Sequence, residues 1–304
     1  MIKLLKKPFI YAGIFTILLL SLDSYVLLKT FLLPSAITSV TEEPDTDADT
    51  NTTTNSQNAA ITDTSYTDEN IQISLETLRK YDTTIYVADI TLSSSDYLKT
   101  ALAQNTFGTN ITEKTSSIAQ SKNAILAING DYYGANNKGY VIKNGVLYRS
   151  SVRDNSNYGD LVIYEDGTFG VINEEDITAE QLIQDGVTNL FAFGPTLVKD
   201  STIAVSESDE VGRAMSSNPR TAIGIIDNLH YIILVSDGRT EENEGLSLYE
   251  AAQIMQEYGC TTAYNLDGGG SSTLYFNGTI VNNPTTNGKK ISERAVSDIV
   301  YIGY

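Results

Sequence analysis

Asn265-Leu-Asp-Gly-Gly-Gly-Ser-Ser-Thr273 follows an apolar stretch and runs on into Leu274-Tyr-Phe276. How this segment turns decides the fold class. A P-loop needs Gly-x4-Gly-Lys-Ser/Thr, and no Lys follows Gly270. The dinucleotide fingerprint needs Gly-x-Gly-x-x-Gly opening a helix, whereas Ser271 to Phe276 reads as a strand. What remains is a glycine-rich corner between two strands, which points away from a doubly wound parallel sheet. Glycines let backbone N–H groups come close to a ligand, and a run of such groups can form an anion-binding concavity. Asp267 puts a carboxylate where an anion would sit. That arrangement costs stability and therefore points to chemistry.

Outward from this corner, hairpins dominate. Asn144-Gly145, Asp166-Gly167 and Asn277-Gly278 are two-residue turns between apolar runs. Thr83 to Leu92 alternates as a strand, Thr221 to Ile226 pairs with His230 to Ser236, and Ala124 to Ile128, Leu190 to Val198 and Ala295 to Tyr301 read as further strands. Helices are expected over Ser94 to Gln104, Thr112 to Lys122, Ile177 to Gln184 and, most clearly, Leu246 to Tyr258, which Gly259 ends. This pattern is an α+β domain: an antiparallel or mixed β-sheet with a few packed helices, over residues 71–304.

The first seventy residues are of another kind. Lys3, Lys6 and Lys7 precede an apolar run from Phe9 to Leu20 that resumes after Asp23 through Leu33. A basic start before a hydrophobic stretch is a signal peptide or a membrane anchor. The span approaches the ~20 residues of a crossing helix, and no small-x-small cleavage site precedes Pro34. Residues 1–34 are therefore read as an uncleaved single-pass anchor, with a cleaved signal as the other reading. The positive-inside rule leaves Met1 to Lys7 in the cytoplasm and the folded domain on the extracytoplasmic side of the cell membrane. Residues 35–70 hold eight acidic side chains and no basic one, too little apolar surface to offset ordering entropy, and read as a disordered linker. Asp45-Thr-Asp-Ala-Asp49 hints at a calcium loop but lacks the glycine and the closing glutamate such a loop needs. A net charge of −18 argues against nucleic acid, and against an anionic membrane surface, as direct partners.

Cys260 is the only cysteine and His230 the only histidine. No intramolecular disulfide can form, and structural zinc or a Ser-His-Asp triad would need residues the chain lacks apart from His230. His230 opens a strand after the Asp227-Asn228 turn, a structural position. Carboxylates and arginines must carry whatever chemistry there is, and no metal or cofactor is expected.

Polar clusters interrupt the apolar strands at Asn129-Gly-Asp-Tyr-Tyr-Gly134, Asn218-Pro-Arg-Thr221, Asp237-Gly-Arg239, the triple-glycine loop and Glu293-Arg294. Each alone also reads as a turn or a surface charge. Three of them lie at strand ends, where loops assemble sites on a rigid scaffold, and together they suggest one pocket. Arginine suits phosphate because its guanidinium fork matches two oxygens and stays charged.

With Ala127-Ile-Asn-Gly-Asp-Tyr-Tyr133, Phe193-Gly-Pro195, Asn218-Pro-Arg-Thr-Ala-Ile-Gly224, Asp237-Gly-Arg239, the Asn265–Thr273 run and Glu293-Arg-Ala-Val296 in this order, the chain from about Asn123 to Tyr304 resembles the phosphodiester glycosidase family. The resemblance implies hydrolysis of a bond between a sugar C1 and a phosphodiester oxygen, here on an extracellular or cell-envelope phosphoglycan such as an exopolysaccharide. A phosphomonoester, with a second pKa of about 6, is a good leaving group, so strong acid assistance is less needed than in ordinary glycoside hydrolysis. Cations and N–H groups around the departing phosphate supply much of the stabilisation. On this reading Asp131 and Asp267 do the carboxylate work, without a decision as to which is the base. Arg220 and Arg294 bind phosphate beside the Gly268, Gly269 and Gly270 N–H groups. Asn129, Arg239 and Glu293 support the site, and Tyr132 or Tyr133 stacks on the sugar. Ser271 is set aside as a nucleophile for want of a basic partner. Two rivals stand beside this reading: a non-catalytic module that binds phosphoglycans with the same arginines, and a calcium-dependent structural domain using Asp131, Asp237 and Asp267.

Overall fold

A computed structural model of the chain describes residues 8–39, 59–154, 159–209 and 217–304. Two antiparallel sheets face each other. The larger runs, in spatial order, Thr202–Ile203, Thr196–Lys199, Thr262–Asn265, Thr221–Asp227, His230–Ser236, Thr83–Leu92, Ile71–Lys80, Ser65–Thr67, Ala60–Ile61. The smaller runs Thr279–Ile280, Leu274–Phe276, Leu126–Asn129, Asp298–Ile302, Leu98–Leu102. The two-residue period of a strand sorts the side chains. Ile90, Tyr231, Ile233 and Ile223 of the larger sheet meet Leu126, Ile128, Phe276, Val300 and Ile302 of the smaller in one buried core. The intervening residues Ile85, Val87, Ile232 and Leu234 face the other way, against Leu248, Ala251, Ala252 and Met255 of the Leu248–Glu257 helix. Ala127, Ile299 and Tyr301 likewise turn outward to Ile118 and Ala119 of the short helix Thr115–Ser121. The α+β expectation holds, as a helix–sheet–sheet–helix sandwich.

Individual elements follow local chemistry where it is decisive. The Leu248–Glu257 helix starts at a reciprocal cap: Ser247 Oγ accepts the Glu250 N–H, and Glu250 Oε2 accepts the Ser247 N–H at 2.8 Å. The Asn144-Gly145 turn joins Val141–Lys143 to Val146–Arg149 with φ of 48° and 77°, the left-handed pair that a tight hairpin requires. Tertiary pairing overrides the expected Ser94–Gln104 helix. Ser94 does cap, but only a single 3-10 turn, Ser95–Tyr97. Leu98–Leu102 then becomes a strand because it completes the smaller sheet, pairing residue by residue with Asp298–Ile302. The expected Leu190–Val198 strand splits into Val187–Phe191 and Thr196–Lys199, which belong to different sheets.

The stretch read as a linker, 35–70, enters the fold at both ends. Ser35–Ser39 pairs antiparallel with Thr106–Thr109, and Ala60–Ile61 and Ser65–Thr67 extend the larger sheet beyond Ile71. Its portion 40–58, including the candidate calcium loop, lies outside the described residues. The amino-terminal helix spans Pro8–Phe31. Its Ile10–Thr30 stretch has mean hydropathy 1.8 and no burial within the structure, so it is long and apolar enough to cross a membrane.

A third, three-stranded sheet (Phe169–Ile172, Asp160–Tyr164, Val187–Phe191) is fastened by a buried ionic cluster. Arg153 Nη2 contacts Asp160 Oδ1 at 2.5 Å, and the Arg153 N–H donates to Glu174 Oε2. Burial pushes the Asp160 carboxyl from its ordinary 3.8 up to about 8, with Arg153 opposing and Glu174 and Asp131 adding to the rise. A raised carboxyl binds its proton more tightly folded than unfolded. Its contribution to stability is therefore complete below about pH 4 and lost as pH climbs toward 8. Asp160→Asn removes that loss: denaturant titrations across this window should show the variant gaining on wild type as pH rises. A constant difference would show that Asp160 carries no such proton. In the core, Phe276→Ala should lower unfolding free energy by about 3–5 kcal/mol in the same titrations, and Phe276→Leu by much less.

Candidate functional site

Antiparallel pairing brings the polar clusters together. The end of one strand lies beside the start of its neighbour, so Asn265 stands opposite Ala222 and Thr221 opposite Val235. In the facing sheet Asn129 stands opposite Ile299, and Ile128 opposite Leu274. The triple-glycine loop passes from Thr262–Asn265 in one sheet to Leu274–Phe276 in the other. Asn129, fully buried, ties the two ends: its Nδ2 donates to Asp267 O (2.6 Å), while its Oδ1 accepts from Thr221 Oγ1 (2.8 Å) and the Thr273 N–H (3.3 Å).

Around that joint lies a hollow of about 190 Å³, lined by Thr112, Asp131, Tyr132, Asp267, Arg294, Ala295, Val296 and Ser297. Both expected carboxylates and one expected arginine face it. Asp131 Oδ1 accepts the Tyr133 N–H (3.0 Å) and Oδ2 the Ala192 N–H (3.1 Å). Asp267 Oδ2 accepts from Ser271 Oγ (2.6 Å) and from Arg294 Nη2 (3.0 Å). Arg294 Nε donates to Ser271 Oγ (2.9 Å) and its Nη2 also to Gly268 O (3.0 Å). Burial pushes the Asp267 carboxyl above its ordinary range, although Arg294 and Ser271 pull it down. A second cavity of about 580 Å³ shares Tyr132 with the hollow and adds Asn136, Asn137, Lys138, Arg153, Asp154, Ala192 and Phe193.

Behind Asp131 lies a residue pair that nothing in the sequence singles out. Lys143 Nζ, buried, stands 2.6 Å from Asp298 Oδ2 and 3.6 Å from Asp131 Oδ2, and 3.9 Å from the Phe191 ring centre. Two carboxylates share one ammonium away from water. Burial pushes Asp298 up to about 7, against the pull of Lys143 and helped by the charge of Asp131. Nothing in Tyr140-Val-Ile-Lys-Asn-Gly145 marks this lysine, since a Lys before a hairpin turn ordinarily points to solvent. Asp298 lies just beyond the Glu293–Val296 block, and its only signal is a charge opening an apolar strand.

The other expected site residues have structural occupations. Arg220 is buried behind Gly268, where a Cβ would come within 3.9 Å of its Cδ, and its Nε donates to Leu246 O (2.8 Å). It does not line the hollow. Arg239 donates Nη2 to Asn218 Oδ1 (2.7 Å) and Nη1 to Thr286 O (2.6 Å); burial and the neighbouring Arg294 charge lower its pKa. Glu293 turns away to hold the Thr115–Ser121 helix, its oxygens accepting the Ser116 N–H (2.9 Å) and Oγ (2.6 Å). The glycine run owes as much to packing as to any anion. Gly269 adopts φ 62° with its N–H donated to Pro219 O (2.8 Å), and a Cβ there would press on the Arg239 guanidinium. That N–H is a staple between loops and not part of the expected cradle. Tyr132 is half exposed, whereas Tyr133 is buried against Phe107. Ser271 does have an acidic neighbour, Asp267, but is itself buried. Asp237 is held by Asn283 (2.8 and 3.0 Å), apart from the two hollow-facing aspartates. Among the described residues no group of three or more His, Cys, Asp or Glu side chains is placed to hold a metal ion.

Comparison with known proteins bears on this geometry. Residues 122–303 match the sequence model of the phosphodiester glycosidase family. A SPbeta prophage-derived protein of Bacillus subtilis (strain 168), YomE, is 34% identical over 203 residues, which cover 65% of this chain and 31% of the relative. The N-acetylglucosamine-1-phosphodiester alpha-N-acetylglucosaminidase of Mus musculus is 34% identical over 161 residues, 48% of this chain and 30% of that enzyme. The chain thus spans about a third of the length of these relatives. Among solved structures, the zebrafish enzyme of the same name, described as a catalytic domain auto-inhibited by its pro-peptide, shares the fold with a TM-score of 0.60. Identity there is 22%, with 77% of this chain and 83% of that one covered. The family model covers well over half of the chain and includes every residue facing the hollow except Thr112, and on that ground the chain belongs to the phosphodiester glycosidase family.

Proposed function

We propose that this chain hydrolyses the bond between C1 of a sugar and a phosphodiester oxygen, on the outer side of a membrane that its amino-terminal helix crosses. The observation that carries this reading is the convergence of Asp131, Asp267 and Arg294 on one hollow. A site that only bound anions would gain nothing from two carboxylates at the mouth of its cation. The amino-terminal helix supports the membrane part: large apolar side chains such as Phe15, Leu18 and Leu20 are exposed along it, a surface that water does not suit but a bilayer does.

The chemistry divides between the two cavities. At about 190 Å³ the hollow is smaller than the ~300–1,000 Å³ of ordinary small-molecule sites, so it takes the phosphate and C1 and not a whole substrate. Arg294 Nη1 has no hydrogen-bond partner among the described residues, and the side chain is 40% exposed, which leaves a guanidinium edge for a phosphate oxygen. The larger cavity beyond Tyr132 offers aromatic faces (Tyr132, Phe193) and amides (Asn136, Asn137), a lining suited to a sugar ring. Asp131, in the hollow next to the shared Tyr132, orients water at C1. Asp267, its carboxyl raised by burial, hands a proton to the departing phosphate, whose charge Arg294 shares. Lys143 acts through Asp131, as the buried counter-charge that keeps this carboxylate in place.

The test is release of reducing sugar from a panel of soluble sugar-1-phosphodiesters by the purified chain. Asp131→Asn and Asp267→Asn should each lower kcat/KM by about 10²–10⁴-fold with melting little changed; a loss below tenfold would remove that residue from the mechanism. In wild type, activity should fall as pH rises through the raised Asp267 ionisation, because the proton donor is lost, and Asp267→Asn should abolish that limb. Binding without turnover across the panel would favour the non-catalytic module instead. Lys143→Met, which leaves two buried carboxylates uncompensated, should cost about 3–5 kcal/mol of stability in denaturant titrations.

A further inference from the structure

We propose that the substrate is a glycosyl phosphodiester carried by a membrane lipid, because the outer end of the apolar helix is built into the framework of the catalytic hollow. This rests on the glycosidase reading above and names its substrate class.

The helix ends at Phe31 and the strand Ser35–Ser39 begins after only residues 32–34, which reach at most ~10 Å. That strand is pinned to the domain: Ser35 pairs with Thr109 and Ser39 with Thr106. At Gly108 a Cβ would overlap Ser35 O and come within 2.9 Å of the Ala36 Cα, so the approach depends on glycine. A helix leaves its last carbonyls without partners, and here the Asn110 side-chain amide lies 3.4 Å from both Thr30 O and Leu33 O. The same Asn110 donates its backbone N–H to Gly134 O (2.9 Å), in the loop that carries Asp131. Phe107, in the paired strand, stacks on Tyr133 with ring centres 5.5 Å apart, and the Tyr133 N–H holds Asp131. Thr112, two residues beyond Asn110, lines the hollow itself. From the helix end to the catalytic carboxylate there are a few direct contacts and no slack.

A flexible tether would serve an enzyme that meets soluble or distant substrates. A docked helix end instead holds the hollow close to the bilayer surface, where only a substrate embedded in the same leaflet gains from the arrangement. Charge does not place the domain there, since a net charge of −18 is repelled by anionic headgroups. In the reaction, water adds its hydroxyl to C1, the C1–O bond to phosphorus breaks on the carbon side, and the water proton ends on the phosphate. The products are free reducing sugar and a lipid phosphomonoester.

The test uses the full chain in phosphatidylcholine vesicles, with whichever sugar turns over best in the soluble panel. One substrate is the long-chain alkyl phosphodiester of that sugar in the same vesicles, the other its methyl phosphodiester in solution. The alkyl ester should be cleaved about tenfold or more faster at equal total concentration, from co-localisation and a fixed height above the surface. Inserting a flexible Gly-Ser segment between Leu33 and Pro34 should lower the alkyl-ester rate several-fold and leave the methyl-ester rate unchanged. Equal rates on the two esters, or an insertion without effect on the alkyl ester, would overturn the proposal. Failure to cleave any member of the soluble panel would overturn the glycosidase reading first, and this inference with it.

Discussion

The buried side-chain amide of Asn129 ties the two sheets together at the end of the molecule where the hollow lies. Two sheets packed only by apolar side chains would be free to slide, and a catalytic geometry shared between them would blur. Asn129 stands at the end of a strand in one sheet and spends its donors and acceptor on Asp267 and Thr221 of the other, and on Thr273 where the chain crosses back. Those bonds are buried, so they are strong and costly to break. They fix the distance between the loop of Asp131 and the loop of Asp267. The hollow between the two carboxylates, and any reaction run in it, depends on that distance.

Around this joint the electrostatics are arranged in two halves. On one side Lys143 sits between Asp131 and Asp298 in the interior, a charge group too poorly solvated to serve stability alone. On the other, Arg294 and Arg239 stand close enough together beside Asp267 for the Arg294 charge to lower the Arg239 pKa, with Asp267 opposing. On the proposed reaction, an incoming phosphate would add negative charge beside Arg294, the guanidinium that faces the hollow. Preorganised cations of this kind favour a transition state in which charge accumulates on a leaving phosphate.

Much of this is legible in the chain itself. Thr83 to Leu92 is readable to the residue because β-branched and aromatic side chains fill it, most of them buried. The Leu248–Glu257 helix announces itself through the apolar face of Leu248, Ala251, Ala252 and Met255 and a terminating glycine, while its Ser247 cap becomes clear only in the structure. Asp131, Asp267 and Arg294 stand out because polar clusters at strand ends contrast with apolar strands. What stays hidden depends on contacts distant in sequence. Leu98–Leu102 is a strand only because Asp298–Ile302 lies beside it. Lys143 looks like an ordinary turn lysine until its pleat turns it inward, and Asp160 and Glu174 meet Arg153 only after folding. The Ser35–Ser39 strand, exposed over residues 35–38 and followed by a polar sequence, carries no local sign that it docks. Packing, not propensity, decides such segments.

The central claim is that a water molecule attacks carbon, with phosphate leaving, and isotope placement reads this directly. Turnover of a sugar-1-phosphodiester in ¹⁸O-enriched water, followed by mass spectrometry of both products, should put the label in the sugar hydroxyl at C1 and leave the phosphomonoester unlabelled. Label in the phosphate would mean attack at phosphorus, and would contradict the catalytic roles of Asp131, Asp267 and Arg294.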